Sequence, residues 1–135
     1  MKKILVATDG SSHSERAVAH AAWLSKAGGI PLIVALVNVT LGARGPMTLS
    51  HPEAEAKAIV DKAAAEAKKA GASVEAATVI TGREASSAVV NFAESNGVDV
   101  IVTGTGDKTG LSRLVLGSVA GDIAARAHCT VVIAR

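Results

Sequence analysis

At 135 residues the chain has the length of one ordinary domain, and with 49% hydrophobic residues but a single Trp, a single Phe and no Tyr its core is expected to be aliphatic. A net charge of +2 with no run of Lys or Arg excludes a phosphate-backbone footprint, and the shortage of stacking aromatics argues against single-stranded nucleic acid. No apolar run approaches transmembrane length, so no membrane insertion is expected.

Ile4 to Thr8 is a short apolar run that stops at Asp9-Gly10, which predicts a buried strand meeting a turn. Ser12 and Glu15 have capping-box spacing, and Ala17, Val18, Ala21 and Leu24 follow at helical spacing until Gly28-Gly29. Leu32 to Val39 predicts a second buried strand, and Thr40 to His51 a loop punctuated by Gly42, Gly45 and Pro46. A second helix is expected from near Ser50, with Glu53 completing its capping box, to Gly71. Ser73 to Ile80 reads as a third strand. Thr81 and Glu84 then repeat the capping spacing before a helix carrying Ala85, Ala88, Val89, Phe92 and Ala93. Val98 to Thr103 is a fourth strand, and Gly104 to Gly117 a glycine-rich connection. Ser118 opens a last helix to about Ala127, and Thr130 to Ala134 is the final strand.

Strands alternating with helices imply right-handed crossovers and a five-stranded parallel sheet in a doubly wound α/β domain, residues 1–135, with helices on both faces. Ligands of such sheets bind beyond the carboxyl ends of the strands. Two loops stand there: one carries Asp9 after Ala7 and Thr8, the other carries Gly104, Gly106, Gly110 and Gly117. Glycines let backbone N–H groups approach an anion, and Gly117-Ser118-Val119 opens a helix whose free N–H groups favour phosphate. Lys108 and Arg113 are able to add charge. The alternative is that these glycines only shape a long turn. Asp9 can accept hydrogen bonds from a ribose or an adenine amino group, or cap its own turn.

Several motifs are excluded. The strand-four loop has Thr109 where a dinucleotide fingerprint needs its third glycine, and Asp107 where a P-loop needs glycine before Lys. Asp107-Lys108-Thr109-Gly110 continues with Leu111, unlike the phosphorylated motif of cation pumps. His13, His20, His51 and His128 show no metal-ligand spacing. His13 reads as a solvated histidine at a helix start. The lone Cys129 reads as a small buried hydrophobe in a reducing compartment. Met1-Lys2-Lys3 has no signal-peptide pattern, and a cytoplasmic location is expected.

Four stretches together carry a resemblance: Ile4-Leu5-Val6-Ala7-Thr8-Asp9-Gly10-Ser11, Val98 to Thr105, Gly110 to Ala120, and Cys129-Thr130-Val131-Val132-Ile133. Over nearly its whole length the chain resembles the universal stress proteins. The resemblance implies the strand order 3-2-1-4-5 and a cytoplasmic homodimer paired through the last strand. It implies an unidentified regulatory protein partner in stress response. One branch of the family binds ATP through Gly, two residues, Gly, nine residues, then Gly-Ser. Carried over, that pattern falls on Gly104, Asp107, Gly117 and Ser118, with the first-strand aspartate at Asp9 and the adenine-reading backbone at Val39. Ala7, Thr8 and Val119 flank these positions.

Asp107 departs from the pattern by replacing its second glycine. A like charge about 5 Å from phosphate costs roughly 1–3 kcal/mol at intermediate dielectric, about tenfold or more in affinity. Gly106 offers a shift of the loop by one residue, and Asp107 itself offers a ligand for Mg2+ on the phosphates. Three readings follow: an ATP-binding regulatory domain, a family member acting through protein contacts without nucleotide, and a slow ATPase, for which no general base is placed.

Overall fold

The computed structural model describes residues 2–42, 48–105 and 118–135. In chain order the elements are β1 (Ile4–Thr8), α1 (Ser12–Gly28), β2 (Leu32–Leu41), β3 (Thr48–Leu49), α2 (Glu53–Lys69), β4 (Val74–Gly82), α3 (Ala85–Ser95), β5 (Val100–Gly104), α4 (Ser118–Arg126) and β6 (Thr130–Ala134). The five longer strands are parallel and pair as β4-β2-β1-β5-β6. β3 pairs antiparallel with the end of β2, Thr40 opposite Leu49 and Leu41 opposite Thr48. The expectation of a wholly parallel five-stranded sheet, order 3-2-1-4-5, is corrected accordingly: the sheet has six strands and is mixed, and the added strand changes the numbering of the order. The physical reason is that β2 runs on to Leu41 and the chain folds back along its exposed end.

Side chains alternate across the strands and so divide the core in two. Ile4, Val6, Leu32, Val34, Leu36, Val100 and Val102 pack on one face against Ala17, Val18, Ala21 and Ala22 of α1 and Ala56, Val60, Ala63 and Ala67 of α2. Leu5, Ile33, Ala35 and Ile101 pack on the other against Val89, Val90 and Ala93 of α3 and Ile123 of α4. Leu5 stands in register between Ile33 and Ile101, and all three are essentially buried. Each such side chain contributes roughly 1.5–3 kcal/mol. A helix-surface pair such as Lys57–Asp61, 2.6 Å apart, contributes about 0.2–0.5 kcal/mol, so the apolar sandwich holds the fold.

The helix starts differ from their sequence signals. α1 is capped by Ser11, whose hydroxyl accepts from the Ser14 N–H, so the cap lies one residue before Ser12. α2 begins after Pro52 with no side-chain cap, and α3 after Glu84, also with none. Ser50 is drawn to β2, where its hydroxyl donates to Asn38 Oδ1 (3.1 Å) and accepts from the Val39 N–H (3.0 Å). Thr81 is a β4 residue, and the Glu84 carboxylate accepts from the Ser86 hydroxyl (2.6 Å). Among the described residues no helix is long and apolar enough to cross a membrane.

Candidate functional site

β1 ends at the rim of a cleft of about 340 Å³ beyond the carboxyl ends of the strands. Ala7, Thr8, Asp9, His13 and Ser14 form one wall, and Thr103, Gly104 and Thr105 of the β5 end form another. Val37 of β2, Ala85 and Val89 of α3, and Val119 and Ala120 of the first turn of α4 complete the lining. The cleft therefore offers small aliphatic surfaces with a few polar groups at its edge, the usual composition of a small-molecule site.

The β1 turn is built from short polar side chains. Gly10 adopts φ +83°, a conformation that favours glycine. Its N–H donates to Thr8 Oγ1 (3.2 Å), which lies 3.0 Å from Ser14 Oγ. Ser14 Oγ donates to the Ser11 carbonyl (2.9 Å), which leaves the Thr8 hydroxyl as the donor between the two. Asp9 Oδ1 accepts from both the Ser11 N–H (2.9 Å) and the Ser11 hydroxyl. Asp9 Oδ2 is turned to His13 Nε2, 3.8 Å away. Burial pushes the Asp9 carboxyl up, but the Ser11 hydroxyl and N–H, the Ser14 hydroxyl and the nearby His13 outweigh it and hold the pKa below the ordinary value. Asp9 thus caps its turn with one oxygen and presents the other at the cleft.

Gly104 closes the space between the walls. A Cβ at this position would lie 2.5 Å from the His13 carbonyl oxygen and 3.0 Å from its carbon. Only glycine lets the end of β5 lie against the first turn of α1. Beside it, the Thr105 N–H donates to the Ala134 carbonyl (3.3 Å), tying the cleft wall to the end of β6.

Of the residues singled out from sequence, Ala7, Thr8, Asp9, Gly104 and Val119 line the cleft together. Val39 is not in its lining, and both of its backbone polar groups are taken by Ser50: the N–H by the hydroxyl (3.0 Å) and the carbonyl by the Ser50 N–H (2.8 Å). Val37, two residues earlier, lines the cleft instead. Thr8 is level with Leu36, so Val37 is the first β2 residue past the end of β1, and residue parity along the two strands was a signal for it. Gly106, Asp107 and Gly117 lie outside the described residues, as does the Ser118 side chain; the Ser118 backbone opens α4. His13, Ser14, Ala85, Val89, Thr103, Thr105 and Ala120 were not singled out as ligand-binding positions. Among the described residues there is no group of three or more His, Cys, Asp or Glu side chains able to hold a metal ion.

A model described as the universal stress protein family matches residues 1–135. The universal stress protein MJ0531 of Methanocaldococcus jannaschii is 33% identical over 141 residues, covering 99% of this chain and 82% of the relative. A universal stress protein crystallised in complex with cAMP superposes with a TM-score of 0.78 at 29% identity, covering 99% of this chain and 96% of that one. The universal stress protein of Archaeoglobus fulgidus in complex with dAMP superposes with a TM-score of 0.77 at 28% identity, covering 100% of this chain and 98% of that one.

Proposed function

The chain belongs to the universal stress protein family, and from that premise we propose that it binds an adenine nucleotide in the cleft beyond β1 and β5 and acts as a regulatory homodimer. One observation carries the reading: the Asp9 carboxylate and the first turn of α4, at Val119 and Ala120, converge on the same cleft. An acceptor for an adenine amino group or a ribose hydroxyl thus shares the cleft with a helix start, a place whose dipole favours phosphate. The complexes of two relatives with cAMP and dAMP support the ligand class. The base lies over Ala7, Val37 and Val89, and the phosphates run toward Gly104 and Ser118.

β6 supports the homodimer. Among the described pairings it bonds to β5 alone, and its apolar residues Val131, Val132 and Ile133 are only partly buried. A second copy pairing along this edge covers it.

Calorimetric titration with AMP, cAMP and ATP, with and without Mg2+, tests the reading. Binding that is lost in Asp9→Ala is the expected result. No binding and no thermal shift at millimolar nucleotide would overturn it and favour a family member that works through protein contacts alone, the reading that Asp107 supports. Asp107→Gly is expected to tighten ATP binding by relieving charge repulsion; unchanged or weaker affinity contradicts that argument.

A further inference from the structure

β4 ends the sheet at the edge opposite β6. Among the described pairings it bonds to β2 alone, which leaves its other side as an open edge. Its register slips at the start, where Leu32 stands opposite Val74 and Ile33 opposite Ala76, so Glu75 is a bulged extra residue. The regular ladder then runs from Ala76, opposite Ile33, to Gly82, opposite Val39, and its middle residue is Val79. That stretch carries neither a charge nor a proline, two devices that ordinarily blunt an edge. Glu75 and Arg83 flank it at equal distance from Val79, and both are exposed. The helices leave the edge within reach: Ala64 and Ala65 of α2 border a groove of about 380 Å³ beside it on one face, and Ala88 of α3 one of about 490 Å³ on the other.

Two copies of one strand that meet about a two-fold axis run antiparallel, and residues equally far from the axis stand opposite each other. With the axis at Val79, Glu75 stands opposite the partner's Arg83, Ala77 opposite the partner's Thr81, and Thr78 opposite the partner's Ile80. Moving the axis by one residue sets Glu75 opposite Thr81 or Ala85, and the charge match is lost. We propose that β4 is a self-association edge, through which two copies of this chain pair antiparallel along Ala76–Gly82, held in register by reciprocal Glu75–Arg83 ion pairs. Within its own chain Glu75 lies 3.4 Å from Lys3 Nζ, but its side chain is 47% exposed, so the carboxylate serves both cations. β6 is at the other edge of the sheet, so this pairing joins β6-paired dimers rather than competing with them, and it does not depend on nucleotide.

The test is sedimentation velocity over a range of concentrations on the wild type, Arg83→Glu, Glu75→Arg and the double swap Glu75→Arg/Arg83→Glu. Each single reversal sets like charges opposite each other at both ends of the ladder and is expected to weaken the association about tenfold or more. The double swap restores opposite charges and is expected to recover it. Arg83→Glu leaves the Lys3–Glu75 pair intact, so its effect is not a loss of that contact. Hydrogen exchange locates the interface: the Ala76–Thr81 amides should exchange more slowly at concentrations where the wild type associates, and should not do so in Arg83→Glu. A wild type without the β6 pairing would show smaller species but the same pattern among the four proteins. Equal masses for all four overturn the proposal and leave the edge to a strand of another protein. A double swap no better associated than the single variants overturns it as well.

Discussion

Gly104 and His13 touch through their backbones: a Cβ on Gly104 would meet the His13 carbonyl oxygen at 2.5 Å. The glycine is required there for space. Gly10, by contrast, is required for its positive φ. The contact brings the end of β5 under the first turn of α1, the turn that carries His13 and Ser14 into the cleft.

Gly104→Ala is expected to be destabilising. The colliding atoms belong to the α1 backbone and cannot rotate aside, so the first turn must shift. Overpacking of this kind costs about 1–3 kcal/mol. Thermal unfolding should show a melting temperature lower by several degrees, and AMP binding should weaken as the cleft wall moves. An unchanged melting temperature and affinity would contradict the close approach.

Asn38 is buried and latches the segment before α2 onto the sheet. Its amide donates to the His51 carbonyl (2.9 Å), and its Oδ1 accepts from the His51 N–H (2.9 Å) and the Ser50 hydroxyl (3.1 Å). Asn38→Ala removes all three bonds and is expected to cost about 2–3 kcal/mol, because the groups left behind are partly buried. Ser50→Ala leaves the two His51 bonds in place, loses those to Asn38 Oδ1 and from the more exposed Val39 N–H, and should cost about 1–2 kcal/mol. Urea denaturation of both variants gives the comparison; a Ser50→Ala cost equal to or above that of Asn38→Ala would place the latch elsewhere.

The same latch explains which parts of the molecule the sequence revealed. Ile4–Thr8 and Thr130–Ala134 were legible to the residue, because short uninterrupted apolar runs rich in β-branched residues have few alternatives to a strand. The Ser50/Glu53 and Thr81/Glu84 spacings were misleading because that pattern is local, and long-range pairing claimed both leading residues: Ser50 by Asn38, Thr81 by β2. The extension of β2 to Leu41 depends on β3, a contact across the chain that no periodicity reports. Val39 reads in the sequence as the residue that ends the second strand, whereas that strand runs on to Leu41 and Val37 is the β2 residue that lines the cleft. Asp9 and Gly104 could be found because a strand ending in a carboxylate or in glycine at this edge has a chemical reason. Ala85, Val89 and Ala120 could not, since an aliphatic residue lining a cleft looks like any core residue.

Asp9 makes stability depend on pH in a defined direction. Its folded pKa lies below the ordinary aspartate value of 3.8 because the Ser11 hydrogen bonds, with the nearby Ser14 hydroxyl and His13, outweigh burial. A carboxyl lowered on folding contributes stability that is full above its unfolded pKa and is lost as pH falls through the folded one. The stability difference between wild type and Asp9→Asn is therefore expected to be constant near neutrality and to shrink below pH 3.8. Ser11→Ala, which removes one donor to Oδ1, should raise the Asp9 pKa in an NMR titration. An Asp9 pKa that stays put in Ser11→Ala would contradict the hydrogen-bond account.

Cys129 is expected to be a sluggish thiol. It stands just before β6, partly buried against the Leu5–Ile33–Ile101 face of the core. Burial pushes its pKa above the ordinary 9.0, and the negative charge of Asp99 acts in the same direction. The thiolate is the reactive form, so raising the pKa lowers its population at any pH below it. Alkylation by iodoacetamide at pH 8 should be slower than that of glutathione under the same conditions, and should accelerate as pH rises past 9.0. Labelling as fast as the free thiol at pH 8 would mean that the residue is reactive rather than a packing element of the β6 edge.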